Sequence, residues 1–256
     1  MTKPWEQGDE FARWDAYLQE DGRTLRNLVG ARIPSELRYI EDALVEARAL
    51  ALREHALPAT YDLDGLRSIH RHLFQDVYEW AGEARTVEIR KGDVFFAPVA
   101  RIESSMREVA DFVAATDNLR DVAPADVAHS LADVYAVVNH VHPFREGNGR
   151  TQREYLTALA RESGHHVDWL GISGAENDYA SQAAREGDRG PMRAMFARAV
   201  SRAGADDFDV QAAEALRIAR LSRSGPVSAL QAVRADASAT YRGPARPAQV
   251  GHDFGR

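Results

Sequence analysis

The sequence predicts a mostly α-helical protein with one main domain and a single short β-hairpin. Apolar residues recur at helical spacing through most of the chain before residue 200. Only residues 85–98 show the alternation that is typical of strands. The chain has 256 residues and no cysteine, so we expect a sizeable hydrophobic core without disulfide bonds or zinc–thiolate sites.

Each helix is predicted from the spacing of its apolar residues and from its start signals. Pro34 and Ser35 mark the start of the first long helix, and Asp62 or Asp64 marks the start of the next. We predict helices over about 35–54, from Asp62 or Asp64 to Phe74, over about 99–115, 127–141 and 151–162, around Met192 to Val200, and over 206–222. The helix over 127–141 is the most apolar and ends directly before His142.

The β-hairpin is predicted from a turn with two apolar residues on each side. Val87 and Ile89 precede Lys91-Gly92-Asp93, and Val94 and Phe96 follow it. A glycine-containing turn between alternating apolar residues is a hairpin signal. It can be an ordinary surface hairpin, but an exposed strand edge can also capture an extended peptide by main-chain pairing.

The segment His142-Pro143-Phe144-Arg145-Glu146-Gly147-Asn148-Gly149-Arg150, with Arg153 after it, carries the chemistry. A glycine turn that leads into a helix directs free backbone N–H groups and the positive end of the helix dipole towards an anion. Gly147, Asn148 and Gly149 are therefore predicted to surround phosphate groups. Arg150 and Arg153 share one face of the first helical turn, where their guanidinium groups suit phosphate oxygens.

The remaining side chains of this segment have separate predicted roles. Glu146 is a candidate Mg²⁺ ligand, because Mg²⁺ at a triphosphate takes one or two carboxylates and fills its other positions with phosphates and water. His142 is the candidate general base, since it accepts a proton near neutral pH. Phe144 is predicted to anchor the loop in the core.

These residues resemble the active-site motif of Fic-domain proteins at every signature position. The resemblance extends to Leu25 through Gly30, to Leu37 and Glu41, and to the segments 70–74 and 80–85, and so covers roughly residues 10–200. It implies a Fic-fold helical bundle with a short hairpin flap. The expected organisation is a Fic domain with an N-terminal helical extension over 1–205, a C-terminal helix over 206–222 and a disordered basic tail over 223–256.

The resemblance implies protein adenylylation, in which AMP moves from ATP to a Ser, Thr or Tyr hydroxyl of a target protein. By similarity, His142 deprotonates the hydroxyl, Glu146 holds Mg²⁺, and Gly147, Asn148, Gly149, Arg150 and Arg153 bind the phosphates. Doc-type members, which phosphorylate their targets, carry Lys where this chain has Gly149, so AMP transfer is favoured over phosphate transfer. A Doc-like or other nucleotidyl transfer and a non-catalytic binding module are the alternatives.

Further expectations also follow from the resemblance. The hairpin, with Val87, Ile89, Lys91, Gly92, Val94 and Phe96, becomes a flap that positions the target, and Asn177 and Tyr179 become candidates for an adenine pocket. The family's inhibitory pattern Ser/Thr-x-x-x-Glu-Gly/Asn is not found, since Ser181 to Gly187 has its Glu one residue too far along. We therefore expect a small antitoxin that supplies an inhibitory helix, and a type II topoisomerase subunit or a small GTPase as target.

Charge and composition limit the class of protein and its compartment. The net charge of −7 argues against a general nucleic-acid binder. The chain after Arg217 is basic, whereas the chain before it is acidic. No secretory signal pattern and no long apolar run are visible, which favours a cytoplasmic protein or one exported by a type IV secretion system.

Overall fold

The computed structural model describes residues 2–54 and 60–203. These residues contain eight α-helices: α1 (Glu10–Ala16), α2 (Pro34–Glu54), α3 (Leu63–Phe74), α4 (Ile102–Ala115), α5 (Val127–Val141), α6 (Asn148–Glu162), α7 (Gly174–Arg185) and α8 (Gly190–Ala199). The mostly α fold class is confirmed. The predicted helix over 206–222 and the predicted disordered tail over 223–256 lie outside the described residues.

Two small antiparallel strand pairs complete the fold. Strands β1 (Arg90–Lys91) and β2 (Val94–Phe95) form the hairpin, in which Arg90 pairs with Phe95 and Lys91 with Val94. Strands β3 (His165–Val167) and β4 (Val200–Arg202) join the ends of α6 and α8. The second pair was not predicted, because each of its strands has only three residues.

Helix α5 is the centre of the main core. It packs against α4, α6, α7 and α8, and Leu131, Ala132 and Val138 on it are fully buried. Neighbours on several sides require a helix that is apolar around most of its circumference, which is the pattern that the sequence has here. The residue that ends α5 is thereby placed deep in the molecule.

A second core cluster joins the N-terminal segment to α3 and to the stem of the hairpin. Tyr17 packs edge-on against Trp80 with 5.7 Å between ring centroids. Val87 and Ile89 belong to this cluster, and each is only 1% exposed. Their prediction as target-docking flap residues was wrong: they precede β1 and anchor the hairpin, because alternation alone does not indicate where pairing begins.

Helix α6 begins earlier than predicted, and helices α1 and α7 have no counterpart among the predicted ranges. Helix α6 starts at Asn148, three residues before the predicted start, because the second half of the glycine turn is already helical. Helix α7 was not predicted. Its start has a clear signal, since the Ser173 hydroxyl accepts a hydrogen bond from the backbone N–H of Glu176. Within residues 2–54 and 60–203, no helix combines the length and the apolar character needed to cross a membrane.

Candidate active site

Residues 142–147 form a tight loop between α5 and α6, and one side chain holds it closed. The Asn148 side-chain oxygen accepts the N–H of Phe144 at 2.9 Å, and its amide group donates to the carbonyl of Phe144 at 2.8 Å. Asn148 is fully buried and is not part of the cavity wall. The structure thus gives this side chain a loop-closing role, and the predicted phosphate contact at residue 148 stays a prediction for its backbone.

Phe144 anchors the loop by stacking on His70 of α3, with 3.9 Å between ring centroids. His70 also supports the backbone, because its Nε2–H donates to the Glu146 carbonyl at 3.0 Å while Nδ1 accepts the N–H of Gly82 at 2.8 Å. Burial lowers the pKa of His70 to about 3. The ring is therefore neutral, and both of its nitrogens form hydrogen bonds that support the loop.

Gly147 is required by the backbone at the start of α6. Its φ is +81°, and a Cβ at this position would come within 2.3 Å of the Phe74 ring. Only glycine accepts both the positive φ and this close approach without strain. The first N–H groups of α6, which have no acceptor within the helix, therefore begin directly at the cavity wall.

His142 ends α5 in the left-handed conformation, with φ 45° and ψ 63°. Its Nδ1 lies 2.5 Å from the Asn139 carbonyl, which can only accept, so the proton is assigned to Nδ1 and Nε2 is the basic nitrogen. The ring stacks on Phe96 at a centroid distance of 3.8 Å. Burial lowers the pKa of His142 to about 3, with the positive charge of Arg85 acting in the same direction.

Arg150 is surrounded by carboxylates. Its guanidinium pairs with Glu41 of α2, lies 3.4 Å from Asp42 and 4.0 Å from Glu146, and covers the face of the Phe74 ring at 4.9 Å. Burial and the nearby charge of Glu41 raise the pKa of Glu146 above its ordinary value. The sequence indicated Glu41 only as part of the resemblance to Fic-domain proteins, and its pairing with Arg150 was not predicted.

Glu146 lies beside the start of α6 with its carboxylate directed into the loop. One carboxylate oxygen accepts the Gly147 N–H at 3.0 Å, and the residue is part of the cavity wall. Among residues 2–54 and 60–203, no three His, Asp or Glu side chains are grouped around a common metal position. A single carboxylate at a phosphate-binding loop fits the small protein share of an Mg²⁺–triphosphate site.

Arg153 lies one turn further along α6. Its Nε donates to the Gly149 carbonyl at 3.2 Å, which directs the guanidinium along the cavity wall. A Cβ on Gly149 would meet only the Arg153 guanidinium, at 3.7 Å. The surrounding space therefore does not require glycine at position 149. The reason to expect glycine there is its predicted effect on the type of reaction.

The loop, the hairpin and α7 together line a cavity of about 280 Å³. Among the predicted residues, those in its wall are His142, Glu146, Gly147, Gly149, Arg150, Arg153, Lys91, Val94, Phe96 and Asn177. The hairpin reaches α7 across the cavity, since Lys91 Nζ lies 2.6 Å from Asp178 Oδ1. Gly92, with φ +60°, forms the hairpin turn and has open space around it.

Helix α7 supplies half of the wall residues that the sequence did not predict. Asn177, Asp178, Ser181, Gln182 and Arg185 lie on its cavity face. Asn177 accepts a hydrogen bond from the Tyr135 hydroxyl at 3.0 Å. Tyr179 was wrongly predicted beside it: the helix turns this side chain away from the cavity wall and leaves it 67% exposed.

Arg145 lies in the same segment of the sequence but faces away from the cavity. Its guanidinium covers the Trp14 ring at 4.1 Å and lies 5.8 Å from the Tyr17 ring. Arg145 is buried, so the loop contacts the N-terminal segment on the side opposite to the cavity.

A helical bundle with a histidine at the end of its central helix and two arginines behind a glycine turn defines a Fic-type domain. Residues 60–160 match the model of the Fic/DOC family. A probable protein adenylyltransferase Fic of Escherichia coli is 33% identical over 191 residues, which cover 74% of this chain and 94% of that protein. The chain belongs to the Fic/DOC family.

Other relatives and solved structures agree with this assignment. Protein adenylyltransferase VbhT of Bartonella schoenbuchensis is 35% identical over 184 residues, and the match spans 72% of this chain but only 38% of VbhT. The crystal structure of BepC, a VirB-translocated effector of Bartonella tribocorum with bound AMPPNP, has a TM-score of 0.70 at 27% identity. It is matched over 74% of this chain and 98% of BepC.

Proposed function

We propose that the protein is an adenylyltransferase that moves AMP from ATP to a Ser, Thr or Tyr hydroxyl of a target protein. The observation that carries this proposal is one cavity with a fixed, neutral histidine at one end and a glycine turn with two arginines at the other. Relatives named as protein adenylyltransferases, and similar structures with bound AMPPNP or ADP, support the reaction class and ATP as the co-substrate.

His142 is the general base of the proposed reaction. With Nδ1 held by the Asn139 carbonyl, Nε2 takes the proton of the target hydroxyl as its oxygen attacks the α-phosphorus. The new oxygen–phosphorus bond forms as the bond to pyrophosphate breaks. Burial keeps the ring unprotonated throughout the neutral pH range, so Nε2 has a free lone pair for this proton, but the lowered pKa also makes it a weaker base than an exposed histidine.

The start of α6 holds the triphosphate in this proposal. Gly147 and Gly149 lie in the cavity wall, so the free N–H groups at the start of α6 would face the phosphates, and Arg150 and Arg153 would bind the outer ones. Glu146 would hold Mg²⁺, which supplies charge neutralisation at the phosphates. Asn177, which is ordered by the Tyr135 hydroxyl, is the candidate contact for the adenine.

ATP labelled at either the α- or the γ-phosphate tests the reaction directly. The protein is incubated with soluble bacterial or host-cell lysate and each form of ATP, with His142→Ala as the paired control. We expect protein-bound label from α-labelled ATP only, and only with intact His142. Label from γ-labelled ATP would replace AMP transfer with the Doc-like alternative, and the absence of His142-dependent label would favour the non-catalytic binding module.

Position 149 offers a second test of the reaction type. Gly149→Lys places a long cation where the proposal needs backbone N–H groups and open space. We expect this variant to lose AMP transfer while it keeps its fold. Unchanged AMP transfer by Gly149→Lys would remove Gly149 as the residue that selects the reaction.

The hairpin holds the target in this proposal. The exposed edge residues Val94 and Phe95 suit main-chain pairing with an extended target segment, and Lys91 lies at the cavity rim. A purified type II topoisomerase subunit and a purified small GTPase are the two targets to compare. Phe95→Pro removes an N–H on the outer edge and leaves the hairpin's own hydrogen bonds in place, so it is expected to reduce transfer to the target without reducing ATP binding.

A small antitoxin is the proposed regulator. A groove of about 230 Å³ between α2 and α6 supports this, because it joins apolar residues such as Val45 and Leu73 to Arg150 and Arg153. A helical peptide with the pattern Ser-x-x-x-Glu-Gly is expected to inhibit AMP transfer, and the same peptide with Gln in place of Glu is the control. Equal inhibition by both peptides would argue against a carboxylate–Arg153 contact.

The proposed location is the bacterial cytoplasm, with type IV export as the second candidate. Export is favoured by similar structures that are described as VirB-translocated effectors. A reporter fused to the full chain, compared with the same fusion ending at residue 203, measures whether the basic C-terminal residues direct transfer into a recipient cell. Signal from the full chain alone would support export.

A further inference from the structure

Arg85 is a completely buried guanidinium between the stem of the hairpin and the end of α5. It is 1% exposed. Its Nε donates to the His142 carbonyl at 2.8 Å, and one terminal nitrogen donates to the carbonyls of Val141, at 3.3 Å, and Ala97. The other terminal nitrogen donates to the Val87 carbonyl at 2.8 Å and lies 3.3 Å from the Glu88 carboxylate. All five N–H donors of the side chain thus have acceptors.

Two of these acceptors lie where α5 ends and the loop of residues 142–147 begins. The last carbonyls of a helix have no partners within the helix, and a cation there also interacts favourably with the helix dipole. Arg85 satisfies the carbonyls of Val141 and His142 at the point where the chain enters the left-handed conformation. It therefore helps to fix the backbone from which the His142 ring extends.

Two further acceptors belong to the two stems of the hairpin. The Val87 carbonyl precedes β1 and the Ala97 carbonyl follows β2, so one guanidinium closes the base of the hairpin from both sides. Main-chain bonds reinforce this junction, because the Ala97 N–H donates to the His140 carbonyl at 2.9 Å. Phe96, the neighbour of Ala97, stacks on the His142 ring.

We propose that Arg85 is a positioning residue that fixes the hairpin and the catalytic base relative to each other. A hydroxyl carried by a target segment on the hairpin then arrives at Nε2 of His142. The arrangement requires arginine, because its planar fork reaches five acceptors in fixed directions while lysine has three donors at one point. This inference rests on the proposed AMP transfer and on the hairpin as the target-holding element.

Arg85→Lys tests the inference by comparing AMP transfer with AMPPNP binding. A purely structural role of Arg85 would change both together. We expect His142-dependent transfer of α-label to soluble lysate protein, at saturating ATP, to fall about 10- to 100-fold. Binding of AMPPNP, which depends on the start of α6, is expected to change less than about threefold. Arg48→Lys is the matched control, because Arg48 also joins two segments through its guanidinium, in its pair with Asp76, but lies away from the cavity.

The ¹⁵N NMR spectrum of the His142 imidazole gives a readout that is independent of activity. In the unaltered protein we expect a single Nδ1–H tautomer, and in Arg85→Lys a mixture of tautomers or a broadened signal. A wild-type tautomer together with wild-type transfer in Arg85→Lys would overturn the inference. Equal losses of transfer and AMPPNP binding would also overturn it, because they indicate general damage to the fold.

Phe96→Leu examines the same coupling from the hairpin side and leaves the buried guanidinium intact. We expect the same division, with reduced transfer and unchanged AMPPNP binding, so the inference remains testable if Arg85→Lys fails to fold. Unchanged transfer in Phe96→Leu would count against it. If the unaltered protein transfers no α-label at all, the proposed function fails, whereas the tautomer measurement still reports whether Arg85 positions His142.

Discussion

The two ends of the segment from His142 to Arg150 are held by different kinds of interaction. At the first end, His142 is surrounded by a backbone carbonyl and the ring of Phe96, and it is neutral. At the second end, Arg150 lies among the carboxylates of Glu41, Asp42 and Glu146. Burial and main-chain geometry thus fix the end with the proposed base, and ion pairs fix the proposed phosphate-binding end.

The two ends also differ in where their partners come from. Asn139 and Phe96 lie on α5 and beside the hairpin, both next to the loop in the fold. Glu41 lies on α2 and is 109 positions away from Arg150 in the sequence. Changes outside the motif are therefore expected to act on the base from the hairpin side, at Arg85 and Phe96, and on the proposed phosphate-binding end from α2, at Glu41.

The largest effect is expected from His142→Ala. Loss of a general base typically lowers a rate by about 10²- to 10⁴-fold, while AMPPNP binding should change little because it depends on the other end of the loop. The measurement is the initial rate of α-label transfer together with AMPPNP titration. His140→Ala, a change at an exposed neighbour, is the control, and comparable loss in both variants would contradict the assignment of the base.

Arg153→Ala is expected to weaken ATP binding, whereas His142→Ala is expected to lower the rate of transfer. Removal of a charge-assisted phosphate contact costs about 1.5–3 kcal/mol, or about 10- to 100-fold in affinity for ATP. Calorimetric titration with AMPPNP measures this loss, and Arg107→Ala on the exposed side of α4 is the control. AMPPNP affinity equal to that of the unaltered protein would mean that Arg153 does not bind the nucleotide.

Glu41→Gln tests whether a residue outside the motif controls the phosphate end. The change removes the main charge partner of the Arg150 guanidinium, so we expect the free energy of unfolding to fall by about 2 kcal/mol and the AMPPNP affinity to change with it. Denaturant unfolding and titration measure the two effects. Glu36→Gln on the same helix is the control. Stability and affinity that both stay unchanged would show that the ion pair has no role.

The smallest change is expected when the His142 end is titrated. Burial lowers the pKa of His142 from 6.5 to about 3, so ¹⁵N NMR should show a neutral ring from pH 8 down to pH 5. The unfolded chain binds this proton near pH 6.5, so the stabilisation from neutral burial is present above that pH and is lost as the pH falls towards 3. A titration midpoint near 6.5 in the folded protein would remove the contrast between the two ends.

The sequence predicted the local parts of this arrangement well. Helices α2 to α5 lie close to their predicted ranges, because each has an apolar face of helical period. Eight residues between His142 and Arg153 were predicted as parts of one site, and six of them lie in the cavity wall. Their chemistry depends on neighbours within a few positions, which a sequence displays directly.

The missed parts depend on tertiary contacts. The partners of Glu41 and Arg85 lie on other segments, so nothing in their own surroundings indicates burial or pairing. Val87 and Ile89 show the same alternation as a strand, and only packing decides that they enter the core. The Asn148 side chain closes the loop on the backbone of Phe144, a role that residue type and spacing alone do not indicate.

The stacking of Arg145 on Trp14 affects how the enzyme can be divided into fragments. A fragment cut at the limits of the family match, residues 60–160, would lose Trp14 and Tyr17. These are the two rings that the Arg145 guanidinium contacts, so the guanidinium would become exposed to solvent. It would also lose α2, and with it Glu41. The smallest piece expected to keep an intact loop therefore begins before Trp5, whose ring stacks on Tyr17.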